Sequence, residues 1–454
     1  MTGHHALPRL NRSLAATGPT PPIRIVHLGL GAFHRSHQAW YTQHAGDSSE
    51  WGIAAFTGRR PDAAEILAAQ DGLFTLVERS GAGDSFEVVG SIVEAVDGAN
   101  VGRLVELVSA AATAVITLTI TEAAYGLGAA DLPLLLAGQE PATPVGRLVR
   151  ALAGRREADA GPLAVVSCDN LSGNGDVARN GVLKLAREVD ASLADWIDGN
   201  VSFVNTSVDR ITPRTTQEDL DAVATASGYL DSAVVVTEPF HNWILSGSFP
   251  AGRPTWEDAG ALFVDDIEPY ENRKLWLLNG AHSILAYAGL VRGHTTVAEA
   301  LADPVCREAV EEFWDEAGQH LTAPDLHIPE YRAALLERFG NSRIAHHLSQ
   351  IAADGTTKLR MRSVPVLTAE RSAGRSGEGA AGMIAAWAAC LSVKPDLQDP
   401  LSAEIRAANA LIGEPRTAAL LRLISPELAN EPQLVSLIHG LQDRLAVAPT
   451  HASH

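Results

Sequence analysis

The sequence predicts an α/β domain with a mostly parallel sheet over residues 1–266, followed by an all-helical domain over residues 267–454. Three observations lead there. At 454 residues the chain is too long for one compact core and suits two. Up to about Asp266, short β-branched apolar runs alternate with helical patterns, as a sheet covered on both faces requires. Beyond that point strand-like runs become scarce, and long segments rich in Ala, Leu and Glu take over.

The elements follow in order. The polar, proline-bearing stretch to Pro22 reads as an irregular lead-in. Strands are expected at Ile23–Leu28, Trp51–Phe56, Ala114–Ile120, Leu163–Ser167, Val201–Val204 and Ala233–Val236. Residues 34–45 form the first crossover helix, with further helices at Val101–Ala110 and Asn180–Val189. In the second half, helices are expected at Glu271–Val291, Thr296–His320, Pro329–Phe339, Glu378–Leu391, Ser402–Ile412 and Thr417–Leu423. Ser372–Gly382 reads as a loop leading into a helix.

Composition narrows the function classes. With 46% hydrophobic and 20% charged residues the chain is ordinary globular material, with little disorder expected. Asp plus Glu (54) outnumber Lys plus Arg (35), a formal charge of −19. Such a surface repels nucleic acid and anionic membranes, so the expected partner is a small molecule; oligomeric state is not legible. The three cysteines, Cys168, Cys306 and Cys390, are far apart and odd in number, which argues against a disulfide framework or a structural zinc site. The 16 histidines form no HxxxH or HExxH pattern, so no metal is expected. The first residues hold no apolar core like that of a signal peptide, and no apolar run is long enough to span a bilayer. A cytoplasmic location is the expectation.

The first strand runs into Gly29-Leu-Gly31-Ala-Phe33-His34. Two glycines at this spacing suit the tight turn of a Rossmann-type, dinucleotide-binding domain. The first permits the turn, and the second lets the backbone approach a pyrophosphate. His34 stands where a third glycine is usual, so a plain structural turn fits these residues as well. An NAD-selective fold often ends its second strand on an acid that binds the ribose hydroxyls. Here that strand ends Phe56-Thr-Gly-Arg59-Arg60-Pro-Asp62. Asp62 comes several residues late. Arg59 and Arg60 either face a 2′-phosphate or are solvated in a surface turn.

The most informative segment is Glu271-Asn-Arg-Lys274-Leu-Trp-Leu-Leu-Asn279-Gly280-Ala-His282. At about 100° per residue, Lys274, Asn279 and His282 fall within an arc of roughly 140° on one buried helix. Polar groups there are expensive without partners or a ligand. Gly280 inside the helix costs about 1 kcal/mol relative to Ala, which implies that something packs closely against it. Alcohol oxidation needs these residue types. A base removes the hydroxyl proton, and a buried lysine can serve. An amide donates to the developing alkoxide, and an imidazole holds the hydroxyl. A snorkelling lysine, a capping asparagine and a satisfied core histidine are the plain alternatives. Glu271, three residues before Lys274, suits either a proton exit or an ordinary first-turn glutamate.

Lys274-xxxx-Asn279-xx-His282 resembles the signature of the polyol-specific long-chain dehydrogenase/reductase family, which includes enzymes of the mannitol 2-dehydrogenase and fructuronate reductase type. Gly29 to His37, Ser167-Cys-Asp-Asn170-Leu-Ser-Gly-Asn-Gly175 and Val208-Asp209-Arg210-Ile-Thr-Pro213 resemble three further family motifs, in the family's order. The resemblance extends over most of the chain. It implies a Rossmann-type domain followed by a helical catalytic domain. Gly29, Gly31, Phe33 and His34 would bind NAD, with NADP not excluded. Lys274 would be the general base, with Asn170 and Asn279 as oxyanion donors. His282, Asp209 and Lys358 would bind substrate. It also implies a reaction without zinc, in which hydride transfer interconverts a polyol and a ketose, of the mannitol/fructose or D-arabinitol/xylulose type. Lys358-Leu-Arg360-Met-Arg362 matches the family's basic segment only loosely. Arg360 and Arg362 either lie in a solvated loop or bind the carboxylate of a hexuronate, the substrate of the alternative reading. A polyol phosphate is a weaker rival. A catalytically dead sensor would have lost Lys274 or Asn279, and both are present.

Overall fold

The computed structural model describes residues 7–15, 18–126, 128–344 and 346–444; part of the lead-in, 1–6 and 16–17, lies outside the described residues. The chain divides into two compact units, Met1–Ile267 and Glu268–His454.

The first unit holds β1 (Ile23–Leu28), β2 (Gly52–Phe56), β3 (Phe74–Ser80), β4 (Gly83–Val89), β5 (Ile92–Val96), β6 (Val115–Leu118), β7 (Leu163–Ser167), β8 (Val201–Asp209), β9 (Val235–Thr237), β10 (Asn242–Ser246) and β11 (Leu262–Phe263). An eight-stranded sheet runs β11-β10-β8-β7-β6-β1-β2-β5. Every pair from β5 across to β8 is parallel. β10 joins antiparallel to β8 and β11 parallel to β10. This is a doubly wound, Rossmann-type sheet. Alternate residues of one strand enter two different cores: Ile25 packs on one face, Val26 and Leu28 on the other. That is why the strands read as continuous apolar runs and not as alternating ones. Chain order reverses at β1, which lies between β2 and β6, so a crevice opens beyond the carboxyl ends of these strands.

Three departures from expectation have local causes. The Ala233–Val236 run supplies β9, which pairs with β3 in a separate sheet ordered β4-β3-β9. The crossover helix is two short helices, Ala32–Ser36 and Gln38–His44, broken at His37. His37 is fully buried, and its ring is held by the Asn242 carbonyl at 3.0 Å and the Gln38 amide at 3.0 Å. The helix Pro144–Glu157 was not foreseen, although Thr143 caps it and Pro144 opens it.

The second unit is helical, with no strand among its described residues. The expected helix Thr296–His320 is two, Val297–Ala302 and Pro304–Gln319, because Asp303 caps the second and Pro304 cannot continue the first. The basic segment expected as a loop is the helix Gly355–Arg362, pinned at its start by Asp399, which accepts from the Thr356 amide (2.8 Å) and hydroxyl (2.6 Å). The helix expected at Glu271–Val291 changes pitch midway: Glu268–Arg273 is α, Lys274–Gly280 is π, and Ala281–Val291 is α again.

A π-turn is rare because its backbone bonding is poorer than that of an α-turn. Here neighbouring helices supply donors. The Trp314 indole, on Pro304–Gln319, donates to the Leu277 carbonyl at 2.7 Å. The Arg362 guanidinium donates to the Asn279 carbonyl at 3.1 Å and to Ser283 Oγ at 2.9 Å. Gly280 lets Phe313 close in, since a Cβ at 280 would sit 2.5 Å from its ring. Trp314→Phe keeps most of the ring and removes the donor. It should cost about 0.5–1.5 kcal/mol in denaturant unfolding, the usual net worth of one hydrogen bond, since the Ala281 amide still donates to the Leu277 carbonyl. Unchanged stability would show that the π segment stands without it.

Candidate active site

In the first unit the glycine turn closes over β1. Gly29 has φ +114°, and a Cβ there would lie 2.1 Å from the Thr119 carbonyl oxygen, so only glycine fits. The amides of Gly29 and Leu30 both donate to the Phe56 carbonyl, at 2.9 and 2.8 Å. Gly31 is different: a Cβ there would meet only the Gly29 carbonyl oxygen, at 3.6 Å. The protein itself does not demand glycine at 31, and Gly31 is not among the residues that line the cleft beside the turn; the close approach of a ligand is the reason we propose for it. A cleft of about 490 Å³ opens beside this turn, lined by Gly29, Leu30, Thr57, Gly98, Thr119 and the start of the helix Pro144–Glu157, among others. These residues fit the pyrophosphate and adenosine portion of a dinucleotide.

Phe33 and His34 do not line that cleft. Phe33 packs on the sheet core and stacks on His37, with ring centroids 5.0 Å apart. His34 is fully buried and stacks on His27 at 3.4 Å. Burial pushes His27 down to about 3 and His34 well below its usual range. These two rings are neutral supports beneath the turn.

The segment Ser167–Gly175 follows β7. Asp169 is buried, and its carboxylate accepts from the amides of Ile120 (3.2 Å) and Thr121 (2.7 Å) and from the Tyr125 hydroxyl (2.7 Å). It holds Thr121, a non-glycine residue at φ +71°. Asn174 is fully buried and bonds the carbonyls of Asp169 and Thr206, both at 2.8 Å. The loop is stapled at both ends, and Asn170 between them is exposed. Asp209 ends β8, paired in register with Asn242 of β10. Its neighbour Arg210 is buried and donates to the Ser36 and Glu238 carbonyls and to Glu78. That guanidinium ties β8 to the helix after the glycine turn.

In the second unit the π pitch changes the sequence-derived geometry. Five residues make one π hydrogen-bonded turn, so Lys274 and Asn279 stack on one face, closer than an α-helix would bring them. His282 follows Asn279 by three residues on the α-helix. His282 is 8% exposed, and its Nε2 has no hydrogen-bond partner among the described residues. Its ring lies 4.7 Å from Phe339 and 4.9 Å from His346. Burial, then the charges of His346, Arg338, Arg362 and Lys358, hold its pKa well below the usual imidazole range. The result is a neutral imidazole with one nitrogen to spare.

The basic helix supplies two of those charges. Lys358 and Arg362 share a face at i,i+4, and neither makes a direct ion pair among the described residues, although the charges of Asp354 and Asp399 act on Lys358. The Lys358 ammonium is held by the carbonyls of Ile351 (2.8 Å) and Ala353 (2.6 Å), and its pKa is lowered by burial. Burial likewise takes Arg362 down to about 10. Arg360 points elsewhere: it is exposed and donates to the Leu423 carbonyl. The supporting residues Asp169, Asn174, Arg210 and Trp314 were missed by sequence reasoning. For the first three, adjacency to the quoted motifs was the available signal; for Trp314 there was none. Among the described residues no group of three or more His, Cys, Asp or Glu could hold a metal ion, and no helix is long and apolar enough to cross a membrane.

A Rossmann-type sheet with a dinucleotide-sized cleft, joined in sequence to a helical unit that stacks a lysine and an asparagine, defines the class of nicotinamide-dependent oxidoreductases. Comparison with known proteins narrows the class. The family model of the mannitol dehydrogenase Rossmann domain matches residues 23–258, and that of the mannitol dehydrogenase C-terminal domain matches residues 266–445. D-mannonate oxidoreductase of Escherichia coli (strain K12) is 37% identical over 432 residues, covering 88% of each chain. A substrate-free D-sorbitol dehydrogenase structure superposes with TM-score 0.86 at 28% identity, covering 96% of this chain and 97% of that one. The ternary complex of Pseudomonas fluorescens mannitol 2-dehydrogenase with NAD and D-mannitol superposes with TM-score 0.75 at 32% identity, covering 96% of both chains. This chain belongs to the mannitol dehydrogenase family and is an oxidoreductase.

Two outcomes check the geometry. Gly29→Ala should destabilise the fold by more than about 1 kcal/mol, through the left-handed backbone and the Thr119 clash. Gly31→Ala should leave stability within about 0.5 kcal/mol and weaken dinucleotide binding; equal melting losses for both would remove the ligand as the reason for Gly31. For His282, nitrogen chemical shifts should stay those of a neutral ring from pH 8 down to pH 5.5, below the ordinary histidine pKa of about 6.5. Stability owed to that neutral ring is present above the unfolded value and falls as pH drops below it. Titration of His282 near pH 6.5 would contradict the buried placement.

Proposed function

We propose that this chain is an NAD-dependent, metal-independent dehydrogenase that interconverts a secondary alcohol of a polyol and the matching ketose, of the mannitol/fructose or arabinitol/xylulose type. The observation that carries the reading is the π segment, which stacks Lys274 and Asn279 and is followed by His282, a buried neutral imidazole with a spare nitrogen. NAD, when bound at the glycine turn, supplies the hydride acceptor. Lys274 takes the hydroxyl proton as hydride leaves the carbinol carbon. Asn279 donates to the oxygen as it gains charge, and the family resemblance assigns Asn170 the same role. His282 holds the hydroxyl in place, and the resemblance gives Asp209 and Lys358 to substrate binding. The three cysteines, free and buried, suit the reducing cytoplasm in which we place the protein.

A second reading, a hexuronate reductase of the same fold, has one observation in its favour. Lys358 and Arg362 are partly buried cations beside His282 without a direct ion pair among the described residues, and D-mannonate, named for one relative, is a sugar acid. We keep the polyol as the first reading because Arg362 is already engaged by Asn279 and Ser283.

Both readings are tested by one panel, assayed at 340 nm with a strong chelator present. Mannitol and arabinitol oxidation should persist, and Lys274→Ala should lower turnover by about 10²–10⁴, the usual worth of positioned proton transfer. Fructuronate reduction without polyol oxidation would replace the first reading by the second. Activity lost to the chelator and restored by zinc would remove the lysine mechanism.

A further inference from the structure

The cleft beside the glycine turn carries a charge pattern that the dinucleotide assignment does not explain. Its charged lining residues are Arg59 and Arg147, and no carboxylate lines it. A site that reads unphosphorylated ribose usually places an acid at the end of the second strand, where it chelates the two hydroxyls. At this position β2 is followed by Thr57, Gly58 and Arg59. Asp62, the first acid beyond, is exposed and pairs with Arg60 at 3.6 Å. Asp97, which follows β5, accepts from the Ala99 amide at 3.0 Å within its own turn; its charge and that of Asp131 act on Arg147, but neither carboxylate makes a direct ion pair with it or lines the cleft.

Arg147 is fixed at the same corner. It projects from the first turn of the helix Pro144–Glu157 and donates to the Gly58 carbonyl at 3.0 Å. Gly98 makes room for it: a Cβ there would lie 2.7 Å from its Nη1. Its Nε is buried without a hydrogen-bond partner among the described residues. Arg59 is exposed at the rim and has no ion pair or side-chain hydrogen bond among the described residues. One guanidinium is therefore anchored between the ends of β2 and β5, and a second stands free at the rim. A planar fork of donors of this kind suits the oxygens of a phosphate monoester.

We infer that the adenosine end of this cleft recognises a 2′-phosphate, with Arg59 and Arg147 as its ligands, so that the enzyme accepts NADP(H) in addition to NAD. The inference rests on the dinucleotide reading of the cleft and extends it to cofactor selectivity. The test is calorimetric binding of 2′,5′-ADP and of 5′-AMP to the full chain, in buffer free of phosphate and sulfate. These probes differ by the one group at issue and need no turnover. The wild type should bind 2′,5′-ADP at least tenfold more tightly than 5′-AMP. Arg59→Ala should lose most of that preference while binding 5′-AMP as before; Arg59 is exposed, so the fold does not depend on it. Arg147→Lys, which keeps a charge and loses the fork, should also reduce the preference, and its melting temperature checks that the corner is intact. Equal affinity of the wild type for both probes would overturn the inference and leave the dinucleotide reading standing, as would an Arg59→Ala variant that keeps the preference. Binding of neither probe, nor of NAD, would overturn the dinucleotide reading itself.

Discussion

The second unit is organised around a change of helical pitch that side chains from two neighbouring helices brace. At Leu277 and Asn279 the backbone runs in π pitch, and Trp314 and Arg362 donate to their carbonyls from helices packed alongside. Much else follows from the pitch. It stacks Lys274 on Asn279, and it turns Gly280 toward Phe313 where no Cβ would fit. It also commits Arg362 to the backbone of the residue whose amide is proposed to meet the alkoxide. Packing away from these side chains thus bears on the spacing between the proposed base and the proposed oxyanion donor, a spacing on which positioned catalysis depends steeply.

The first unit uses buried charge in the same way. Asp169, Asn174 and Arg210 each belong to a family-like motif, yet each spends most of its hydrogen bonds on backbone. They hold the loops that follow β6, β7 and β8, at the carboxyl edge where doubly wound sheets bind ligands. The residues proposed to act, Asn170 and Asp209, are their immediate neighbours. Function at this edge is a pairing of one side chain turned inward to hold the loop with one presented by it.

This pairing explains what the sequence made legible. The main strands were readable because both their faces are buried, so β1, β2, β6 and β7 are unbroken apolar runs. The hairpin β3–β4 escaped because half of β4 is solvated and its residues are Gly, Asp, Ser and Glu as often as apolar. The stripe of Lys274, Asn279 and His282 was visible as spacing, but its pitch was not. The π turn is imposed by Trp314 and Arg362, which lie 37 and 83 residues from the carbonyls they serve. The motif around Gly29 to His37 was readable as a turn, whereas the division of labour within it was not. Gly29 lines the cleft, while His34 is stacked beneath on His27. Local spacing carries the candidate residues; long-range contacts decide which way each one faces.

Charge shows the same separation of scales. The chain carries a formal −19, which governs its encounters at a distance and keeps polyanions away. Within about 10 Å, the screening length at moderate ionic strength, local groups decide instead. There the cleft of the first unit shows two arginines and no acid, and the surroundings of His282 in the second show Arg338, Lys358 and Arg362. Buried cations are costly unless negative charge offsets them. Part of that offset is already on hand, from Asp97 and Asp131 at Arg147 and from Asp354 and Asp399 at Lys358; a negative group that arrives with a ligand or forms during the reaction adds to it. A dinucleotide supplies the first kind at the cleft, since its phosphates are always ionised. Beside His282 the neutral polyol proposed as substrate would supply the second kind, because its oxygen becomes anionic only as the proton leaves. The positive field there would then favour the transition state over the bound alcohol, which is the form of binding that accelerates a reaction.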